Sequence, residues 1–313
     1  MRRTIPATAL AVLLLTAGNA RLSAQSLPDL IENLGVKELA RDYLRPAADA
    51  VGYSLNSGFF HSGRIEPKFH VWVGVKNVWI FIPTKDRTFI AKLPQTLTDL
   101  GYPAQVETAT IAGEKGTVVH SYKTDPYGNP YPDFALPDGV KMENTFLVLP
   151  QISIGQIAAT ELLVRGIPPV TFEPGIGKIW CLGAGLRHSP TQYIELPFDL
   201  AFMAVAQRFE IGSIIDAVNL NANVHAGIPL GILEVFGGVG YESYSLTVSY
   251  KYSPTSTDLP EVLREPRSVE LDFDRMNYRF TTGVRLILPL IDLTAEYSFG
   301  IQDNLTLGAG IRL

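Results

Sequence analysis

The sequence predicts an all-β protein: a transmembrane, antiparallel, up-and-down β-barrel of about 12 strands, within a range of roughly 10 to 14, preceded by an N-terminal helix. Three observations predict this fold class. The first residues have the pattern of an export signal. From about Lys68 onward, apolar and polar residues alternate in short segments. Beyond the first residues, no apolar run reaches the roughly 18 residues that indicate a membrane-spanning helix.

The N-terminus has the three parts of a secretory signal peptide. Arg2 and Arg3 supply its positive charge, residues 7–17 its apolar centre, and Ala24 before Gln25 a cleavage point, with Ala20 as an alternative. The apolar run is shorter than the roughly 20 residues that a membrane anchor needs. We therefore expect residues 1–24 to be a removed signal peptide, and the mature chain to reach the outer membrane of a Gram-negative bacterium.

Composition narrows the class of protein further. The formal net charge of −5 is mild, which argues against nucleic acid as a partner. Cys181 is the only cysteine, so the chain forms no internal disulfide and no cysteine-based zinc site. The mean hydropathy is positive, at +0.14, although the apolar residues are spread over short pieces. This distribution excludes helical membrane spans after the signal and is compatible with barrel strands.

A helical pattern precedes the strands. From Ser26 to about Val51, apolar residues recur at spacings of three and four, which predicts an amphipathic helix. Gly35 and Pro46 are expected to bend or break it. We expect residues 25–60 to form a helical plug in the barrel lumen or a cap on its periplasmic mouth, with docking on the barrel rim as the alternative. Residues 61–313 then form the barrel.

The clearest strand runs from Val218 to Ala226, where every second residue is polar. Because successive side chains of a strand point to opposite faces, each such segment has one apolar and one polar face. A soluble sandwich would bury the apolar face, whereas a membrane barrel turns it to lipid. The export signal and polar faces rich in Gly, Asn, Ser and Thr favour the barrel. So do aromatic residues near strand ends, which are Tyr241, Tyr244, Tyr250, Tyr252, Tyr297 and Phe299.

Connection lengths support the same architecture, since membrane barrels have short periplasmic turns and longer outer loops. If Leu313 ends in the periplasm, residues 227–229 and 289–290 are short periplasmic turns. Residues 123–144 and 253–277 are then long outer loops. Two connections fit poorly: residues 189–197 are long for a periplasmic turn, and residues 302–304 are short for an outer loop.

Several short motifs follow one another through the mature chain. They are Leu55-Asn56-Ser57-Gly58, Asp86-Arg87-Thr88-Phe89, Leu149-Pro150-Gln151, Gly155, Thr160-Glu161-Leu162-Leu163-Val164-Arg165, Gly185-Leu186-Arg187-His188 and Leu196-Pro197-Phe198-Asp199-Leu200. Together they resemble a domain-of-unknown-function family of predicted outer-membrane barrels, found mainly in Bacteroidota and related bacteria. The chain differs at Arg87, where that pattern has Lys, and at Ala158, where it has a small Gly-like residue. The resemblance implies the fold and no activity. The layout is also loosely similar to that of long-chain fatty-acid transporters.

The candidate functional residues are those that the alternation places in the lumen. They are Asn219, Asn221, Asn223, His225, Glu161, Arg165, Arg187, Arg285 and Glu296, with Arg312 on the same type of face. The four residues of the polar ladder, Asn219 to His225, either line a pore or form hydrogen-bonded packing. The charged residues either set the selectivity of a channel or form a salt-bridged network in a closed barrel.

The motif content argues against an enzyme. Three of the five histidines precede a serine, but neighbouring side chains in a strand point to opposite faces and cannot form a base–nucleophile pair. We expect no cofactor and no metal. The leading hypothesis is a passive channel or transporter for small molecules, hydrophobic ones among them. The alternatives are a structural or surface-interaction barrel and an exported soluble β-protein. Expected partners are outer-membrane lipid and, during insertion, the barrel-assembly machinery.

Overall fold

The structure is a computed structural model that describes residues 37–173, 177–252 and 267–313. The chain divides into two compact units. One comprises Met1–Ala48, Ile82–Glu143 and Thr247–Phe273, and the other comprises Asp49–Phe81, Asn144–Leu246 and Asp274–Leu313. The predicted signal peptide, residues 1–24, lies outside the described residues.

Helix α1 spans Lys37–Leu55. The predicted start at Ser26 and the expected bend at Gly35 lie outside the described residues. The expectation of a break at Pro46 is wrong, because Pro46 lies inside the continuous helix. A proline removes one backbone donor, and packing on both sides offsets that loss here: Leu44 and Ala48 are buried.

Ten antiparallel strands form a closed barrel, in which the strand His70–Phe81 pairs with both Asn144–Ile157 and Asn304–Arg312. The strands are β1 His70–Phe81, β6 Asn144–Ile157, β7 Thr160–Glu173, β8 Gly177–His188, β9 Asp199–Ile211, β10 Ile215–Leu230, β11 Leu233–Tyr252, β12 Arg267–Ile287, β13 Ile291–Phe299 and β14 Asn304–Arg312. The all-β, up-and-down barrel is therefore confirmed. Its strand number is the lower end of the predicted range and not about 12, because Ile82–Glu143 contributes no strand to the barrel and β11 and β12 are unusually long.

Burial alternates along the barrel strands as the sequence pattern predicts. In β10, Asn219 and Asn221 are buried inside, while Val218 and Leu220 are exposed outside. In β1, Trp72 and Lys76 are buried, and Val73 and Val75 are exposed. The barrel therefore has an apolar outer face and a mixed, largely polar interior.

Two connections correct or refine the sequence analysis. The turn between β10 and β11 lies at residues 231–232, not 227–229, because β10 continues through Pro229 to Leu230. A proline can occupy the end of a strand, where a missing ladder donor costs least. The β6–β7 turn consists of Ala158 and Ala159, with φ of 52° and 56°. Positive φ at both positions is typical of a type I′ hairpin, which explains the Gly-like residue expected at position 158.

Antiparallel order assigns the connections to two ends of the barrel. The end where β1 begins, here called the turn end, has connections at residues 158–159, 189–198, 231–232 and 288–290. The opposite end, here called the loop end, is where β1 ends, and its described connections between barrel strands lie at residues 212–214 and 300–303. Strands β1 and β11, which precede the two predicted outer loops, both end there. However, residues 267–277 belong to β12, so the second of those loops is shorter than expected.

The other unit has its own small elements. Strands β2 Thr88–Lys92 and β3 Gln105–Ala109 pair with each other, β4 Val118–Val119 pairs with β5 Phe134–Ala135, and α2 spans Gln95–Asp99. Ile82, Ala112 and Met142 form a buried cluster, and Val140 packs against it. The chain between β1 and β6 is thus a folded insertion, whereas the sequence analysis assigned it to the barrel.

Candidate functional site

The barrel lumen is occupied by the chain's own residues 49–66, here called the lumen segment. Near the loop end, the hydroxyl of Tyr244 donates to Asp49, and Arg275 lies 3.4 Å from the same carboxylate. Near the turn end, Gln192 donates to the Ile65 carbonyl at 3.1 Å. The segment therefore runs the length of the lumen before β1 begins. The assignment of Tyr244 to an outer aromatic belt is wrong, since this ring is buried inside.

Side chains of the barrel wall donate hydrogen bonds chiefly to the backbone carbonyls of the lumen segment. Arg165 donates to the carbonyls of Ser57 and Gly58 at 2.7 and 2.6 Å. Arg187 donates to those of Ser62 and Arg64 at 2.8 and 3.3 Å. Four further wall donors reach carbonyls of the segment: Asn219 to Gly52, Arg279 to Tyr53, Asn221 to Asn56 and Gln151 to Phe59. The bonds from the three arginines are charge-assisted and therefore stronger than those from the neutral side-chain amides.

Three consecutive aromatic residues of the segment each meet a partner on the wall. The Arg165 guanidinium lies 4.1 Å from the centre of the Phe59 ring. Phe60 stacks on His225 with ring centres 4.2 Å apart. His61 stacks on Trp72 with ring centres 5.0 Å apart. Phe59 and Phe60 also belong to a buried cluster with Leu163, Met203, Val205 and Phe236. The lumen thus combines polar donors with apolar, aromatic sites.

Buried ion pairs occupy the turn-end half of the lumen. Glu161 accepts hydrogen bonds from Arg187 at 2.8 Å and from His70 at 3.1 Å. Arg285 contacts Asp292 at 2.7 Å and Glu234 at 3.4 Å. Glu234 in turn accepts from the Ser62 hydroxyl and the Gly63 amide, both at 2.8 Å. Each of these charges has an opposite partner, which offsets the cost of its burial.

Two further pairs lie toward the loop end. Arg279 contacts Glu242 at 3.0 Å and donates to the Ser57 hydroxyl. Lys76 lies 3.7 Å from Glu296 and donates to Thr294 at 3.1 Å. Together with the turn-end pairs, they form a charged lining that spans six strands: β1, β7, β8, β11, β12 and β13.

Every lumen candidate named from the sequence lies buried on the inner face. They are Glu161, Arg165, Arg187, Asn219, Asn221, Asn223, His225, Arg285 and Glu296. Asn221, Asn223 and His225 form a chain in which successive side chains hydrogen-bond at 2.7 Å. Asn219 instead bonds the lumen segment. Arg312 lies at the turn end, 3.1 Å from Glu66. The structure therefore brings these residues together around the segment, in the hydrogen-bonded and ion-paired arrangement that the sequence analysis left open.

Sequence reasoning missed several lining residues. Glu234 and Glu242 on β11 are buried partners of Arg285 and Arg279. The alternation from Glu234 to Tyr244 predicts them, but inward Phe236 and Tyr244 make that face partly apolar and obscure the pattern. Residues 56–66 show no periodic pattern of apolar residues that would predict their place in the lumen, because they form neither a helix nor a strand.

The lumen contains a small cavity among the described residues. A cavity of about 20 Å³ lies beside the segment, where roughly 10–15 Å³ accommodates one water molecule. Asn56, Asn223, Arg279 and Glu296 are among its lining residues. Gly238 and Gly240 adjoin it, and a Cβ at either position would lie within about 3 Å of the Cβ of His225 or Asn223.

Within residues 37–173, 177–252 and 267–313, no cluster of three or more metal-ligating side chains occurs. None of the helices in those ranges is long and apolar enough to cross a membrane.

Known structures show limited similarity to the chain. The attachment invasion locus protein Ail of Yersinia pestis matches with 11% identity over 80% of this chain and 100% of its own, at a TM-score of 0.27. Salmonella typhi OmpF, in complex with daunomycin, matches with 9% identity over 79% and 97% of the two chains, at a TM-score of 0.24. A BenF-like porin from Pseudomonas fluorescens matches with 8% identity over 79% and 98%, at a TM-score of 0.19. At these scores the similarity does not bear on function.

No curated protein matches the chain in sequence. A family model matches it from residue 1 to residue 313. The resemblance to a family of unknown function is thereby confirmed, whereas the Bacteroidota origin and the likeness to fatty-acid transporters stay predictions. The chain belongs to the family of unknown function DUF6588.

Proposed function

We propose that the protein is an integral β-barrel of a Gram-negative outer membrane, whose lumen is closed by its own lumen segment and opens to small molecules when that segment moves. One observation carries the membrane assignment: the outer face of the barrel is apolar while its interior is charged. Exposed apolar residues recur on its strands, among them Val73, Val75, Val148, Ile152, Leu162, Val164, Leu182, Leu186, Phe202, Val218, Leu220, Val235, Phe280, Val284, Leu293, Leu307 and Ile311.

This distribution is the reverse of a soluble protein, which rarely exposes a contiguous apolar surface of more than a few hundred Å². Lipid is the partner that such a surface requires. Outward aromatic residues near the loop end support the same view. Tyr241 and Tyr278 have ring centres 5.7 Å apart, and Phe280 and Phe299 have ring centres 6.0 Å apart. Aromatic belts of this kind are typical of membrane interfaces. Insertion would require the barrel-assembly machinery.

The proposal of passage through the lumen rests on how the segment is held. Its contacts with the wall are hydrogen bonds, ion pairs and ring contacts, and among the described residues none is covalent. Such contacts can be exchanged for contacts with a solute. We propose no enzymatic role and no nucleic-acid partner.

Membrane insertion is tested by fractionation of the native host and by gel mobility before and after boiling. Recovery in the outer membrane, with a band that shifts on boiling, is the expected result. Release into the soluble periplasmic fraction would overturn the assignment and favour an exported soluble β-protein.

Opening is tested by conductance in planar bilayers. We expect the wild-type barrel to be mostly closed and the Arg165→Met and Arg187→Met double variant to open often, because its segment loses four carbonyl contacts. The matched control is Arg208→Met, because Arg208 pairs with Asp216 on the exposed face. If the double variant folds but never conducts, the proposal that the lumen opens to small molecules is wrong.

A second candidate is a surface-interaction barrel without transport. It is favoured by the folded insertion Ile82–Glu143, in which Tyr122 and Tyr127 are 76% and 89% exposed. If replacing both tyrosines with serine leaves cell-surface adhesion and envelope phenotypes unchanged, this candidate fails.

A further inference from the structure

We propose that the lumen is a binding site for a non-helical peptide with adjacent aromatic side chains, and that residues 56–66 of the lumen segment occupy it as an internal ligand. The inference rests on the proposed function, since a peptide can enter only if the segment can leave. It goes further by naming the chemical class of ligand.

The hydrogen-bonding pattern of the wall carries the first part of the inference. Arg165, Arg187 and Gln151 direct their donors at the carbonyls of Ser57, Gly58, Phe59, Ser62 and Arg64. A backbone carbonyl is common to all residues, so these donors do not depend on the identity of the side chains. A wall dedicated to one fixed plug could bond its side chains instead, as Glu234 does with Ser62.

The aromatic contacts carry the second part. Phe59 lies under the Arg165 guanidinium, and Phe60 lies between His225 and Phe236. Both rings are at least nine-tenths buried. The preceding Gly58 has φ of +71°, and this turn directs the two adjacent rings to separate sites on the wall. The wall therefore selects two neighbouring aromatic residues that follow a small residue.

Other ligand classes fit this lining less well. An oligosaccharide has hydroxyl groups and ether oxygens in place of a row of planar carbonyls. A fatty acid has acceptors at only one end. A nucleic acid would suit the arginines, but it would meet the buried carboxylates of Glu161, Glu234 and Glu242.

The test uses the full chain with a segment that binds its own wall weakly. The variant Phe59→Ala with Phe60→Ala loses both rings and leaves the wall intact. The control protein is Phe69→Ala, because Phe69 is 66% exposed and lies beyond the segment. The probe is a fluorescein-labelled peptide with the sequence of residues 56–66. A second peptide has alanine at both phenylalanine positions, and maltohexaose is the non-peptide competitor.

We expect the probe to bind the double variant at least about tenfold more tightly than the Phe69→Ala control, and to bind at least about tenfold more tightly than the alanine peptide. Fluorescence anisotropy gives both affinities. Equal affinity for the two peptides, or equal competition by maltohexaose, would overturn the inference.

Conductance separates failure of the inference from failure of the channel. If the Phe59→Ala, Phe60→Ala variant conducts but does not bind the probe, the peptide site is refuted and the channel is supported. If the same variant binds the probe but never conducts, the peptide site is supported and the channel is refuted. If the double variant lacks the band shift on boiling, Phe60→Leu replaces it, since this change retains most of the side-chain volume and removes the stacking on His225.

Discussion

The guanidinium of Arg165 on β7 lies 4.1 Å from the centre of the Phe59 ring, while its nitrogens bond the carbonyls of the two residues before Phe59. One wall side chain therefore holds both the backbone and an aromatic side chain of the lumen segment. A further contact, to Gln151 at 2.7 Å, orients the guanidinium plane. The Arg165 side chain is thus held by both the wall and the lumen segment.

Replacing Phe59 with alanine should destabilise the barrel. Phe59 is 3% exposed, and loss of such a core ring costs about 3 kcal/mol or more, with a further cation–π loss from Arg165. Urea unfolding of the refolded protein, followed by tryptophan fluorescence, measures the change. Phe69→Ala is the control and should have little effect. Equal stability of the two variants would show that the segment does not contribute to the barrel's packing.

The buried carboxylate of Glu161 should contribute about as much to the free energy of unfolding as the Phe59 ring. Glu161→Gln leaves Arg187 buried without its ionic partner, and breaking a buried pair in this way costs about 3 kcal/mol or more. The same urea titration gives the free energy of unfolding. The control is Glu114→Gln, because the Glu114–Lys141 pair is largely exposed and should not matter measurably. Similar midpoints for both variants would contradict a structural role for the Glu161 network.

The proposed lipid contact predicts a strong effect of charge on the outer face. Leu220 lies in the middle of β10 and is 51% exposed, so Leu220→Arg would be tolerated in a soluble protein. In a membrane we expect a cost of roughly 2–4 kcal/mol and poor folding into lipid vesicles. Tyr127→Arg introduces the same charge at an exposed position of the insertion and should fold normally. Equal folding yields would argue for a soluble barrel.

Substitution in the β6–β7 turn should increase the stability of the barrel. Ala158 has φ of 52°, a conformation that asparagine adopts more readily than alanine. We expect Ala158→Asn to stabilise the barrel by about 0.5 kcal/mol. Ala158→Val should destabilise it by at least about 1 kcal/mol, because a β-branched side chain clashes in this region. Opposite shifts of the urea midpoint would agree with the turn geometry, and a stabilising valine would refute it.

Several features of the protein could be predicted from residue patterns alone. The alternation at Val218–Ala226 predicted which side chains of β10 lie inside, and the same pattern placed Arg165, Arg187 and Glu161 on the inner face. The number of strands could not be predicted, because Ile82–Glu143 also has short alternating pieces but forms a separate unit. The side of the barrel on which Tyr244 lies could not be predicted either, because an aromatic residue near a strand end can face the membrane interface or the lumen.

The sequence by itself determined the all-β class and the two faces of the strands, because the period of two is a local property of the extended backbone. Only the tertiary structure decided that residues 49–66 fill the lumen, and that Arg165 and Arg187 bond their carbonyls. Backbone carbonyls carry no sequence signal, and these pairs lie more than a hundred residues apart. Their partners are therefore set by strand register and barrel closure, which emerge only when all ten strands have paired.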